Sequence, residues 1–507
     1  MGAVLAPAVA RADPMPAERV RYDGHRVVRA WPADAAELAE VLAVADDVWT
    51  ERVGPGPVDV RLSPQSLAAL DATGIDYDVR ISDVQLAVDA EHDRLAVPEG
   101  TAQAPGAWFS DFKDGPEIDQ FMDALAAEFP DRVTVENVGS SLDGRLIRGV
   151  RISGAPAEGK AALILTGTLH AREWLSPMTV TCIADTLARE YGSDPQITDA
   201  LDALEIFVVP VVNPDGYAYT WSGDRYWRKN TRGGHGVDLN RNFSFQWGGG
   251  GSSGDVSAED YRGNGPLSEP ESQALNAYFQ TKPNAVAHID FHSFSELILY
   301  PWGYQYGAAP DEADLSELAQ DMSSAIQATH GAYYDPIQGS DLYPADGVID
   351  DWAYAEFGMM SFTIELRGSD FVVPASQILP SCEENLEATL VLAAHAMQFS
   401  DPTPSADGGV GEDEGSGDGG PGADGGGTLG GDESGDGGDG GGGDSSGDAG
   451  FSDDADETGA LGEDGQALPA AYGRGAQPET CACRGGTSAP PLPALLCLFA
   501  LVSRRRR

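Results

Sequence analysis

The chain is predicted to be an α/β protein, a mixed sheet flanked by helices, preceded by a small ferredoxin-like α+β unit and followed by a disordered tail. Three observations carry this. Between about residues 107 and 400, apolar strand-like runs interleave with longer segments of helical period. Before residue 97, shorter signals follow one another in the order β-α-β-β-α-β, the split motif of ferredoxin-like units. Beyond residue 400 the composition collapses to Gly, Asp, Ser and Glu.

In order along the chain, Met1 to Ala12 is short and apolar and ends Ala10-Arg11-Ala12, like the last part of a secretory signal with a small-x-small cleavage site. Val27 and Val28 lie in a strand-like run ending at Trp31-Pro32, and Leu38, Val41, Leu42 and Ala45 recur at helical spacing. Val58 and Val60 alternate with polar neighbours. Ser63-Pro64 then supplies an N-cap and a first-turn proline for a helix through Leu67 and Leu70. Tyr77, Val79 and Ile81 alternate again, a helical segment runs from Ser82 to Leu95, and Pro98 to Gly106 is a connecting loop.

The larger region has strand-like runs at 133–138, 146–152, 161–165, 206–212, 285–291 and 361–365. Helical patterns cover 117–128, 177–190, 269–281, 315–329 and 382–397. Buried apolar strands alternating with helices predict a sheet covered on both faces, with chemistry at the strand ends and in the loops beyond them.

From 401 to 480 the chain buries too little to offset its entropy and reads as an extended, self-repelling acidic linker. Cys481-Ala482-Cys483, an apolar stretch from Leu492 to Val502 and Arg504 to Arg507 close the chain. The apolar stretch is short for a membrane span, although the arginines suit a stop that stays in the cytoplasm.

With 31 Lys and Arg against 81 Asp and Glu, nucleic acid and anionic lipid are excluded as main partners. Five cysteines are too few for a disulfide-dense scaffold, and spacing leaves open whether Cys182 and Cys382 pair.

His170 and Glu173 stand three residues apart just after an apolar run, and His292 ends another. Two histidines and a carboxylate form a ligand set of hydrolytic zinc sites, in which the remaining position holds water. Glu365 ends an apolar strand and is a candidate base, although a strand-end glutamate can equally pair with a neighbour such as Arg367. Arg228 offers a delocalised cation to an oxyanion, and Asn240-Arg241 can fork onto a carboxylate.

The segments Thr168–Trp174, Asn213–Tyr217, Arg225–Lys229, Val237–Asn242, Phe291–Tyr304, Tyr343–Trp352 and Ser361–Arg367 resemble, in order and spacing, those of the zinc metallocarboxypeptidases of the carboxypeptidase A/B family. The resemblance covers about 110–398 and implies an eight-stranded, mostly parallel sheet. It implies that His170, Glu173 and His292 hold Zn2+, that Asp238 orients a zinc histidine and that Glu365 is the general base. Arg228 would stabilise the oxyanion. Asn240 and Arg241 would grip the substrate's terminal carboxylate under Tyr343, and Arg172 would line subsites further from the cut.

Asp350 falls where that family sets its preference, and an acid there resembles the carboxypeptidase B pattern for C-terminal Lys or Arg. Its alternative is an N-cap ahead of Trp352. Ile349 replaces a usually small residue and is expected to narrow the pocket or make it dual; Phe294 stands where relatives often carry Tyr.

Residues 13–97 resemble the family's inhibitory activation segment, with 98–106 as connector and 107–400 as catalytic domain. The tail, 481–507, resembles myxobacterial C-terminal sorting signals. The expectation is a secreted or bacterial surface-held monomeric zymogen. Its partners would be peptide or protein C-termini, an activating protease, and the membrane or sorting machinery engaged by its tail. An apolar-preferring or dual enzyme is the alternative.

Overall fold

The structure is a computed structural model that describes residues 15, 18–50, 56–96, 106–154 and 159–400. The expected signal remnant, acidic linker and sorting tail lie outside these residues, as does the connector apart from Gly106. Among the described residues no helix is long and apolar enough to cross a membrane.

The N-terminal unit runs β1 (Arg26–Ala30), α1 (Ala35–Val44), β2 (Asp47–Val48), β3 (Val58–Leu62), α2 (Pro64–Thr73), β4 (Tyr77–Ile81) and α3 (Val84–Leu95). Its four strands are antiparallel in the order β2-β3-β1-β4, the ferredoxin-like arrangement. Ser63 caps α2 with its hydroxyl 3.2 Å from the Ser66 N–H, and Pro64 occupies the first turn. Val28, Val58 and Val60 pack with Val41 and Leu70 of the helices. Val27, on the opposite face of β1, joins Trp49 in a second cluster with Tyr226, Phe294 and Phe371 of the larger region. One sheet thus buries both faces, the second against the rest of the chain.

The larger region continues α4 (Gly115–Glu128), β5 (Val133–Ser140), β6 (Leu146–Ile152), β7 (Ala161–Gly167), α5 (Leu175–Glu190), α6 (Pro195–Ala203), β8 (Leu204–Val209) and α7 (Pro214–Ser222). After a long loop come α8 (Pro270–Gln280), β9 (Ala285–Ser293), β10 (Leu297–Tyr300), α9 (Glu312–His330), β11 (Asp335–Gln338), α10 (Gly339–Leu342), α11 (Ile349–Phe357), β12 (Met360–Leu366) and α12 (Ile378–Ala396). The eight strands lie in the order β11-β10-β12-β9-β7-β8-β6-β5, as the resemblance implies. β8-β7-β9-β12 form a central parallel block, β10 pairs parallel with β11, and the remaining pairs are antiparallel.

Alternation along the central strands divides the core. Leu163, Leu165, Ile289, Phe291, Phe362 and Ile364 face the layer of α5, α9 and α12. Ala162 and Ile164 face α8 and α11, against Phe279 and Trp352. A disulfide joins Cys182 on α5 to Cys382 on α12, with Cα atoms 5.9 Å apart, and so settles the pairing that spacing left open.

Candidate active site

β7 ends at Gly167, and Thr168 takes a left-handed backbone with φ of 60°. Its N–H donates to Ser176 Oγ at 3.0 Å and its hydroxyl to the Pro210 carbonyl at 2.8 Å, which holds this turn before α5. The Asn213 side-chain amide clamps it further by donating to the Leu169 and Lys229 carbonyls, both at 3.1 Å. His170 and Glu173 project from this turn and His292 from the end of β9, all three buried.

Their ligand atoms all lie within 4.8 Å of one another. His170 Nδ1 is 2.8 Å from Glu173 Oε1, His292 Nδ1 is 3.0 Å from Glu173 Oε2, and the two Nδ1 atoms are 3.0 Å apart. Both far ring nitrogens face carboxylates: His170 Nε2 lies 3.1 Å from Asp238 and His292 Nε2 2.6 Å from Asp290. That pattern fits a zinc ion: with metal between the two Nδ1 atoms, each ring would keep its proton on Nε2, toward its carboxylate. Asp238 is buried, which alone would raise its pKa, but the Arg228 guanidinium and His170 hold it well below the usual carboxylate range. Glu173 is held low in the same way by the two histidines, against its burial.

Glu365 is the direct cross-strand partner of His292, because β12 pairs parallel with β9. Its alternative partner is engaged elsewhere: Arg367 Nε lies 3.4 Å from Glu384. A cleft beside the metal site is lined by Arg228, Arg241, Tyr343, Asp350 and Glu365, with Leu299 and Val348 among its apolar walls. Arg228 donates to Asp238 Oδ2 at 3.0 Å and 3.2 Å. Asn240 accepts the Ile349 N–H at 2.9 Å, and Arg241 donates to the Tyr343 hydroxyl at 3.0 Å.

Asp350 is 4 % exposed and makes no ion pair among the described residues. Burial, more than any neighbour, pushes its carboxyl up to about 6. It sits in the first turn of α11, whose N-cap position is Val348, so the capping alternative fails. The expected narrowing by Ile349 also fails. Ile349 turns into the core beside Trp352, and its neighbour Val348 lines the cleft instead.

Arg172 lies outside this cleft, under the N-terminal unit. Its Nη1 is 3.1 Å from Asp47 on β2, and its guanidinium stacks 4.2 Å over Phe371. Arg225 Nε pairs with Glu91 of α3 at 2.6 Å, both side chains being 1 % exposed. The residues lining the cleft all come from beyond residue 107. The N-terminal unit therefore packs over Arg172 and Arg225 and contributes no residue to the cleft lining. Phe294 packs on Phe371, 5.0 Å between centroids, within that same interface.

Two residues were not read from the sequence as part of the site. Asp290 backs His292; its signal was the polar triplet His288, Asp290, His292 at alternate positions of a strand. Asp351 accepts the Gly303 and Tyr304 N–H groups at 2.8 Å and 3.0 Å, fixing the loop that forms one wall of the cleft.

Residues 118–388 match the family model described as zinc carboxypeptidase. Carboxypeptidase A1 of Rattus norvegicus is 36% identical over 398 residues, covering 74% of this chain and 95% of the relative. Carboxypeptidase B of Bos taurus is 32% identical over 400 residues, 74% of this chain and 94% of the relative. Among solved structures, thrombin activatable fibrinolysis inhibitor superposes with a TM-score of 0.69 at 28% identity, covering 74% of this chain and 99% of that one. Carboxypeptidase A from Helicoverpa armigera gives 0.66 at 29% identity, with 74% and 98% covered.

Proposed function

The chain belongs to the zinc carboxypeptidase family and is a zinc-dependent peptide hydrolase; from that premise we propose that it releases Lys or Arg from the C-termini of peptides and is made as a secreted zymogen. The observation that carries the basic preference is Asp350, a buried carboxylate without an ion-pair partner among the described residues, lining the same cleft as Arg241 and Tyr343. A buried charge without a partner is costly, and a substrate ammonium or guanidinium removes that cost.

His170, Glu173 and His292 would hold the metal, which when bound would supply a Lewis acid and lower the pKa of water. Glu365 takes the proton from the attacking water and passes it to the leaving amine. Arg228, anchored on Asp238, donates to the oxygen as it becomes negative. Arg241 forks onto the terminal carboxylate, assisted by Asn240, and Tyr343 closes the pocket from the Arg241 side.

The zymogen reading is supported by the two ion pairs that tie the N-terminal unit to Arg172 and Arg225, and by Trp49 packed on Tyr226 and Phe371. Proteolysis between residues 96 and 107 would uncover the approach. Retention at a bacterial surface through the acidic linker and tail belongs to the same proposal. An apolar-preferring enzyme is the second reading, favoured by Leu299 and Val348 in the cleft walls.

Hydrolysis of matched peptides ending in Arg, Lys, Phe or Leu by the processed chain, with and without a zinc chelator, tests these readings. Chelator-sensitive release of Arg and Lys well above Phe and Leu is expected. Preference for Phe or Leu would leave the enzyme and remove the basic reading.

A further inference from the structure

Asp290 stands two residues before His292 on β9, so both side chains leave the same face of the sheet. It is fully buried, its Oδ2 lies 2.6 Å from His292 Nε2, and its Oδ1 accepts the Thr166 hydroxyl at 2.6 Å. Thr166 is its register partner on β7. Beyond it, Thr166 Oγ1 lies 2.9 Å from His288 Nε2, and His288 Nδ1 lies 2.9 Å from the Ser361 hydroxyl.

The single Thr166 proton goes to Asp290, so His288 donates to the Thr166 oxygen through Nε2. Burial pushes the His288 pKa down to about 4, so the ring is neutral and its Nδ1 accepts from Ser361. At the near end His292 Nε2 faces Asp290, and its Nδ1 faces Glu173 and His170.

The surroundings of the two histidines point the same way. The carboxylates in contact with the two ligand histidines are Glu173, Asp238 and Asp290, all 1 % exposed or less. One guanidinium, that of Arg228, is hydrogen-bonded to this group. The two ligand histidines are thus backed by three buried carboxylates, of which Arg228 meets Asp238.

We propose that Asp290 is a positioning residue of the zinc site, matching for His292 what Asp238 does for His170, with Thr166 as its anchor. It fixes the tautomer and ring orientation of His292 and supplies one of the charges that hold the metal. The proposal rests on the zinc site and is independent of the specificity read from Asp350.

The test is zinc affinity of the full chain, measured by competition with a chromophoric chelator, together with thermal unfolding of the zinc-free protein. Asp290→Asn keeps the shape and removes the charge. The expected result is a zinc Kd raised about 10- to 100-fold, with the zinc-free protein as heat-stable as the wild type or more so. Thr166→Val keeps the charge and cuts its anchor, and is expected to weaken zinc binding by a smaller factor. A D290N Kd within about twofold of wild type, or a loss of zinc-free stability with unchanged zinc affinity, overturns the proposal. If D290N does not fold, unchanged zinc affinity in T166V overturns it instead. A wild-type chain that takes up no zinc would overturn the metal site itself, a failure visible without either variant.

Discussion

Replacing Asp350 with Asn removes a charge while keeping the volume and most of the hydrogen-bonding capacity of the side chain. The size of the effect follows from where Asp350 sits. An exposed ion pair is worth about 0.2–1 kcal/mol, whereas truncating one partner of a buried pair costs about 2–5 kcal/mol. At 4 % exposure Asp350 belongs to the second class. Its carboxyl, pushed from 3.8 to about 6 mainly by burial, carries a cost for the bare charge of about 3 kcal/mol. A bound substrate cation recovers that amount and the variant cannot. Asp350→Asn should therefore lower kcat/KM for peptides ending in Arg by about a hundredfold, while peptides ending in Leu change little or improve. The assay is steady-state hydrolysis of matched peptides by processed wild type and variant, with zinc content checked in both. An Arg-over-Leu ratio within about threefold of wild type would refute the reasoning.

The same carboxylate predicts a pH dependence. Below about 6 Asp350 is neutral and above it charged, so the Arg-over-Leu ratio of kcat/KM should fall as pH drops through that region. Glu365 and the metal act on both substrates and cancel in the ratio; a flat ratio from about pH 5 to 8 would count against Asp350. The Cys182–Cys382 bond closes a separation of 200 residues. Cys182→Ser should cost about 2–5 kcal/mol in denaturant unfolding, with the site chemistry intact; a loss under about 1 kcal/mol would show that packing alone joins α5 to α12. Glu91→Gln discharges one partner of a pair whose side chains are both 1 % exposed. Breaking such a pair costs about 3–5 kcal/mol, so the intact variant chain should hydrolyse long peptides faster than the intact wild type. If the intact wild type is already as active as the processed chain, the N-terminal unit does not inhibit.

The metal triad was legible because His170 and Glu173 follow one apolar run at a spacing of three and His292 ends another, which sequence shows directly. β11 was not, since Asp335-Pro336-Ile337-Gln338 is short and contains a proline tolerated at the sheet edge. β10 has only four residues, and α11 starts after Val348 without a side-chain cap. That start also misassigned Ile349: Val348, still extended before the helix, takes the cleft wall, and Ile349 at the first helical position takes the core. Asp290 escaped because its role appears only once β7 lies alongside and Thr166 meets it. The disulfide joins cysteines on two helices far apart in sequence, and no local pattern encodes that meeting.

His292 and Glu365 sit on one rung of a parallel ladder inside the sheet. Their separation is therefore set by backbone pairing between two central strands, with no loop taking part. A one-residue slip would send Glu365 to the opposite face, so intermediate geometries are not available to this pair. On the proposed zymogen reading, activation is an uncovering with nothing left to assemble. Activity toward long peptides should then rise in step with the cleavage that frees the N-terminal unit, without a lag, and the amides of this rung should be among the slowest to exchange with solvent before and after the cut.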